Sequence, residues 1–200
     1  MTTTLEIINA MLAVNGEAPV SSVNSTDPAA IQAKNALTLI DRAVQARGWW
    51  FNTEPKLRLL PLDGTGEIVL PQNTLQVDPV SSRLDYVKRG TRLYDRTNST
   101  FDIGAEVVVR IVLRLDIEDL PENAATYLRC KAVKEHYTDD DGDEQKIKRL
   151  EDRENEAYAF LQREHLANSN VNNKLSPLGQ QLLAATNVGA NEQPILFDGD

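Results

Sequence analysis

Apolar residues recur at helical spacing toward both ends of the chain and alternate in its middle. Leu5, Ile8 and Leu12 lie three or four residues apart, and Ile7, Met11 and Val14 thicken the stripe. That spacing predicts an amphipathic helix over residues 4–15. Thr3 and Glu6 have the spacing of a capping box, and Gly16 is a natural stop. Residues 17–26 read as a loop. The next helix is marked more strongly. Asp27 can cap it, Pro28 sits in the first turn where proline is tolerated, and Ala33, Leu37, Ile40 and Val44 recur at four-three-four spacing. Gln32, Lys34, Asp41 and Gln45 are assigned to its other faces. The helix should end at Arg47 or Gly48.

The period then changes. Residues 56–59 alternate until Pro61, and the turn residues 63–66 precede a strand-like Glu67-Ile68-Val69-Leu70. Residues 75–80 read as another short strand. Residues 85–88 and 91–94 flank Arg89-Gly90, a β-hairpin pattern. The strongest strand pattern spans residues 106–115. Val107, Val109, Ile111, Leu113 and Leu115 share one face, while Glu106, Val108, Arg110, Val112 and Arg114 form a mixed face expected to be partly exposed or part of an interface.

Helical period returns with Asp119 and Glu122 at capping-box spacing and Pro121 in the first turn. This third helix should run to about Tyr137 and bury Ala125, Leu128 and Ala132. The acidic run 139–143 breaks it. A fourth helix should run to about Ala167 on a stripe of Ile147, Leu150, Ala157 and Leu161. From Asn168 the chain is polar and reads as a linker, followed by apolar residues without period. A segment of that kind either packs back on its own domain or becomes ordered on a partner.

The link between the second helix and the first strand, Arg47-Gly48-Trp49-Trp50-Phe51-Asn52-Thr53-Glu54, holds both tryptophans of the chain. Gly48 can end a helix in a left-handed conformation. Trp49, Trp50 and Phe51 then supply a large apolar surface at one point. They are read as a domain-junction core, and one tryptophan can serve a subunit interface.

Charge narrows the function classes. The formal net charge is −9, the opposite of what a protein gripping phosphates usually carries. DNA can slide past such a surface without being held. The first residues lack a basic start, which argues against a secretory signal. No apolar run approaches a membrane span. The single cysteine, Cys130, excludes an intrachain disulfide and a thiolate metal cage. Cytoplasmic folding fits.

Little in the chain carries chemistry. His136 and His165 are isolated on different helices. An EF-hand read around Gly142 would start at Tyr137 and end at Lys148, both unsuited to calcium. No catalytic, cofactor or metal residue is assigned. A peptidoglycan hydrolase using paired carboxylates, Glu118 and Glu122 for instance, is the alternative class, with nothing in the sequence to single out a pair. One basic cluster stands out: Arg83, Lys88, Arg89, Arg92 and Arg96, with Tyr86 and Tyr94 between them. It is either a hairpin edge protected by its charges or a docking face for an acidic partner, a neighbouring copy included.

The order of these elements, with certain residues, resembles the tail tubular protein A family of short-tailed podoviruses. The resemblance rests on Arg47-Gly48-Trp49 with Phe51-Asn52 and Glu54, on Tyr86-Val87, Arg89-Gly90 and Tyr94-Asp95-Arg96-Thr97, on Phe101-Asp102 and the strand ending in Arg114-Leu115, on Leu120-Pro121-Glu122, and on Asn15 to Val20. It covers about residues 4–165. It implies a structural virion protein of the tail and no enzyme. Such a protein is a dodecameric head-to-tail adaptor between the portal protein and the tail nozzle, tail tubular protein B, with double-stranded DNA passing through its lumen unbound. With the resemblance, the element order gives an α+β fold: a four-helix bundle (1–50 and 116–168), a β-rich domain inserted between helices 2 and 3 (51–115), and an extended C-terminal tail (169–200). Tyr86, Lys88, Arg89, Arg92, Tyr94 and Arg96 are then candidates for nozzle or subunit docking. Leu178, Leu182, Leu183, Ile195, Leu196 and Phe197 are candidates for portal or subunit contacts.

Overall fold

The computed structural model describes residues 2–138 and 143–174. The expected turn at 139–142 and the tail beyond residue 174 lie outside them. Among the described residues the fold is α+β, with four α-helices and two small antiparallel sheets. The chain divides after Leu161 into two units, and both hydrophobic cores lie in the first.

Helix α1 (Thr4–Val14) starts with the complete Thr3/Glu6 capping box. Helix α2 (Pro28–Gln45) starts with the Asp27 side chain accepting the Ala30 N–H. Helix α3 (Glu122–Thr138) follows a short 3₁₀ turn, Ile117–Asp119, and its first N–H groups, from Ala124 and Ala125, reach the Pro121 carbonyl. Helix α4 (Glu144–Lys174) runs seven residues past the end expected near Ala167. The polar stretch read as a linker holds neither glycine nor proline. Asn and Ser are only modestly poor helix formers, and an established helix propagates through them.

The first core gathers Ile7, Ile8, Met11 and Leu12 from α1, Ala33, Leu37, Ile40 and Val44 from α2, Ala125, Leu128 and Ala132 from α3, and Ala157 and Leu161 from α4. Alanines at facing positions let the helices approach closely. Leu12 and Leu161 bring branched bulk to fill the space left.

The larger sheet has the order β1-β5-β2, with β1 (Thr53–Leu59), β2 (Thr74–Pro79) and β5 (Val107–Leu113). The register of β1 slips between Glu54 and Leu57, around Pro55, which has no N–H to give the ladder. The hairpin β3 (Tyr86–Arg89) and β4 (Arg92–Asp95) turns at Gly90, whose φ is +64°. Leu59, Val77, Leu93, Val107, Val109 and Ile111 enclose the second core with Ile68 and Leu70.

Two expectations are corrected. Residues 67–70 form isolated bridges, Glu67 to Asp102 and Val69 to Arg92, and no continuous strand; the backbone bonds Leu70 N–H to Thr91 and Leu93 N–H to Ile68 join them to the hairpin before Pro71 intervenes. The mixed second face of β5 is partly exposed, as expected: Val108 and Arg110 are half-buried and Val112 is buried. Leu115, expected to continue the strand, packs against the helical core instead.

Candidate docking site

The β3–β4 hairpin owes its shape to interleaved rings and guanidinium groups. Its register sets Arg89 directly opposite Arg92, an arrangement that repels unless the charges are separated. They are separated by aromatics. The Arg89 guanidinium lies 3.6 Å from the Tyr94 ring centre, Tyr94 meets Phe101 edge-on at 4.9 Å, and Arg92 lies 4.1 Å from the Phe101 ring. Arg92 also donates to Glu67 at 2.7 Å. Lys88 donates to the Thr74 carbonyl, tying the hairpin to the edge of β2, and Arg96 faces Asp85 at 3.4 Å. Much of the basic cluster is thus engaged within the chain. Arg89 differs: it is exposed and forms no ion pair with a carboxylate among the described residues. A guanidinium pinned on a ring is pre-aligned for two-pronged contact with a carboxylate.

The far end of β4 is organised by Asp95. Its carboxylate accepts the Thr97 and Asn98 N–H groups at 2.8 and 3.0 Å and the Asn98 amide at 2.8 Å. These bonds, led by the Asn98 N–H, hold its pKa below the ordinary aspartate value. Burial, with the Asp95 charge, pushes the Tyr86 hydroxyl up, so Tyr86 stays a neutral donor.

At the other end of the second core a buried polar network joins α2 to β5. The Gln45 side chain pairs with the Leu115 backbone, donating to its carbonyl at 2.9 Å and accepting its N–H at 2.8 Å. The same amide donates to Asp41 at 2.7 Å, and Asp41 also accepts from Arg114 at 2.7 Å. Asn52 donates to the carbonyls of Gln45 and Leu113 and accepts the Trp49 N–H at 2.8 Å. Trp49 is 4 % exposed, and its indole N–H reaches the Val44 carbonyl. Its ring meets Tyr158 edge-on at 6.3 Å, and Arg47 covers both. Trp50 and Phe51 are half-buried against the same core. Gly48 has a φ of +75°, and a Cβ there would meet Arg110 at 2.8 Å and Val112 at 3.1 Å. The positive φ is what calls for glycine, since the Arg110 guanidinium is the mobile end of its side chain.

Asp41 and Gln45, set on faces other than the apolar stripe by the sequence reading, are therefore wholly buried. A signal existed: Leu37, Asp41 and Gln45 form one four-residue row beside the apolar stripe. Of the carboxylates weighed for a hydrolase, Glu118 accepts the Thr4 N–H at 2.8 Å, and that bond holds it ionised to lower pH. Among the described residues no group of three or more His, Cys, Asp or Glu could hold a metal, and no helix is long and apolar enough to cross a membrane.

A family model described as tail tubular protein matches residues 5–171. Tail tubular protein A of Klebsiella phage KP34 is 32 % identical over 164 residues, which cover 82 % of this chain and 87 % of the relative. The chain belongs to the tail tubular protein family. Membership makes it a structural phage-tail protein. The stretch matched to the tail tubular model takes in both cores, the hairpin and the junction. The tail candidates Leu178, Leu182, Leu183, Ile195, Leu196 and Phe197 lie beyond that stretch and outside the described residues.

Proposed function

We propose that this tail tubular protein is the ring-forming head-to-tail adaptor, joining a portal ring to the tail nozzle and lining part of the DNA ejection channel. The observation that carries the reading is large apolar exposure on both the helical and the β regions after two cores have closed. Ile31, Leu39 (69 % exposed) and Phe160 lie on helices, and Leu60 (70 % exposed), Leu62, Val69 and Val80 on the β side. Subunits of a ring meet through two different faces, so apolar side chains in separate regions are what such contacts need. The net charge of −9 suits a channel through which DNA slides. In this reading the helices form a bundle interrupted by a β-domain. The hairpin with Tyr86, Lys88, Arg89, Arg92, Tyr94 and Arg96 faces the nozzle, and the tail reaches a neighbouring subunit or the portal.

Mass measurement of the purified protein alone, with portal and with nozzle protein tests this directly. A dodecamer, free or on the portal, is the expected result; a monomer that binds neither partner would refute it. Charge reversal at Arg89 and Arg92 should weaken nozzle binding, and unchanged affinity would remove the hairpin from that role. The hydrolase alternative has no observation in its favour, since a general acid needs a raised pKa and that of Glu118 is lowered. Clearing of a peptidoglycan suspension by the protein would revive it.

A further inference from the structure

A cavity of about 570 Å³ opens between α1, α3 and the start of α4. Its floor is apolar: Ala10, Ala13, Val14, Cys130, Val133 and Leu150. Its rim carries Arg129, Lys146, Arg149 and Arg153, four cations in a chain whose net charge is −9. Lys146 is engaged, donating to the Val14 carbonyl at 2.6 Å and lying over the Tyr137 ring. Arg129, Arg149 and Arg153 are exposed and form no ion pair among the described residues. The nearby Glu154 does not neutralise them, being held by Lys134 at 2.5 Å and Lys131 at 3.5 Å. A groove with an apolar floor and a basic rim fits a peptide with adjacent apolar and acidic residues.

The chain carries such a peptide. Residues 194–200 read Pro-Ile-Leu-Phe-Asp-Gly-Asp, and residues 175–200 contain three acids and no lysine or arginine. The acidic run 139–141 has the charge but no apolar side chain. Leu178, Leu182 and Leu183 have the apolar groups but no adjacent acid. We propose that the groove of one subunit receives residues 194–200 of a second copy, with Ile195, Leu196 and Phe197 on the floor and Asp198 and Asp200 against Arg129, Arg149 and Arg153. A groove and its complement on one chain link copies head to tail, the contact type that closes rings. The choice of a second copy rests on the ring reading above.

Cys130 is the only cysteine and lines the groove, so its alkylation rate reports occupancy in the full chain. Burial raises its thiol pKa, so labelling belongs at mildly alkaline pH. In the wild-type protein the rate should fall about tenfold as protein concentration rises, as expected when about nine-tenths of the grooves fill. Leu196→Ser with Phe197→Ser, or Arg149→Glu with Arg153→Glu, should abolish that dependence; Arg149 and Arg153 are exposed and belong to neither core. A synthetic peptide of residues 190–200 should restore protection to the Leu196→Ser, Phe197→Ser protein. Slow labelling at every wild-type concentration, relieved by the tail substitutions, would assign the groove to the chain's own tail and overturn the proposal. A rate indifferent to tail and peptide would overturn it too. Rings seen by mass with Cys130 still open would sink the groove and leave the ring reading standing. Peptide protection without any ring would do the reverse.

Discussion

The α2–β5 junction and the β3–β4 hairpin both concentrate charged and aromatic side chains, under opposite conditions. At the junction Asp41 and Gln45 are sealed from water, and their side chains bond to each other, to the Leu115 backbone and to Arg114. At the hairpin, Arg92 and Arg96 sit in partly exposed pairs that water can replace. A buried polar group left unmatched loses its hydration with nothing in return, so the junction tolerates a single arrangement. The hairpin tolerates several. A rigid joint and an exchangeable surface are thus made from the same residue types, and solvent access is the difference.

The largest test of this contrast is Trp49→Ala. Removing a ring that fills the helical core and touches Tyr158 should cost about 3–5 kcal/mol in denaturant unfolding; a loss below about 1 kcal/mol would mean the ring is not core. Gln45→Ala comes next. It strands both the N–H and the carbonyl of Leu115, and the expected loss is about 1–3 kcal/mol. A neutral result would show that water reaches the joint. Arg92→Ala should change stability by less than about 1 kcal/mol, since its bridge to Glu67 is 42 % exposed on the arginine side. A loss matching Gln45→Ala would erase the distinction between the regions.

The smallest effect is a pH dependence. The folded-state pKa of Asp95 is depressed, so its contribution is present above the ordinary value of 3.8 and is lost as pH falls through the lower folded value. Amide exchange at Thr97 and Asn98 should therefore speed up in acid, beyond the intrinsic trend. Asp95→Asn keeps the acceptor oxygen and should remove that dependence; an unaltered profile would assign it to another group.

Local signals were legible in the sequence. The Thr3/Glu6 box, the Asp27 cap and the Gly90 turn are each written in adjacent residues and formed as expected. The aromatic corner could be located, and so could the basic hairpin. What the pattern hid was pairing across long separations. Gln45 and Leu115 are 70 positions apart, and polarity alone set Gln45 on a face other than the apolar stripe. Leu115 followed the alternation of β5 on paper, yet Gln45 holds its backbone and its side chain joins the helical core. The cationic stack of the hairpin was equally invisible, because nothing in sequence order sets Arg89 on Tyr94 or Arg92 on Phe101. The extent of α4 was missed for a different reason: polar composition was read as a break, although composition alone does not end a helix already under way.

The two prolines at the margins of the larger sheet bear on how copies of this protein can be crowded. Strands β1 and β2 are its outer strands, one slipped around Pro55 and the other ending in Pro79, while the Lys88 ammonium occupies the Thr74 carbonyl. An open strand margin is a template for runaway growth, each molecule recruiting the next by backbone alone. Interrupted in this way, the margin offers no unbroken row for such recruitment. Any association of copies is then left to side chains, which can specify a number of molecules where a strand margin cannot.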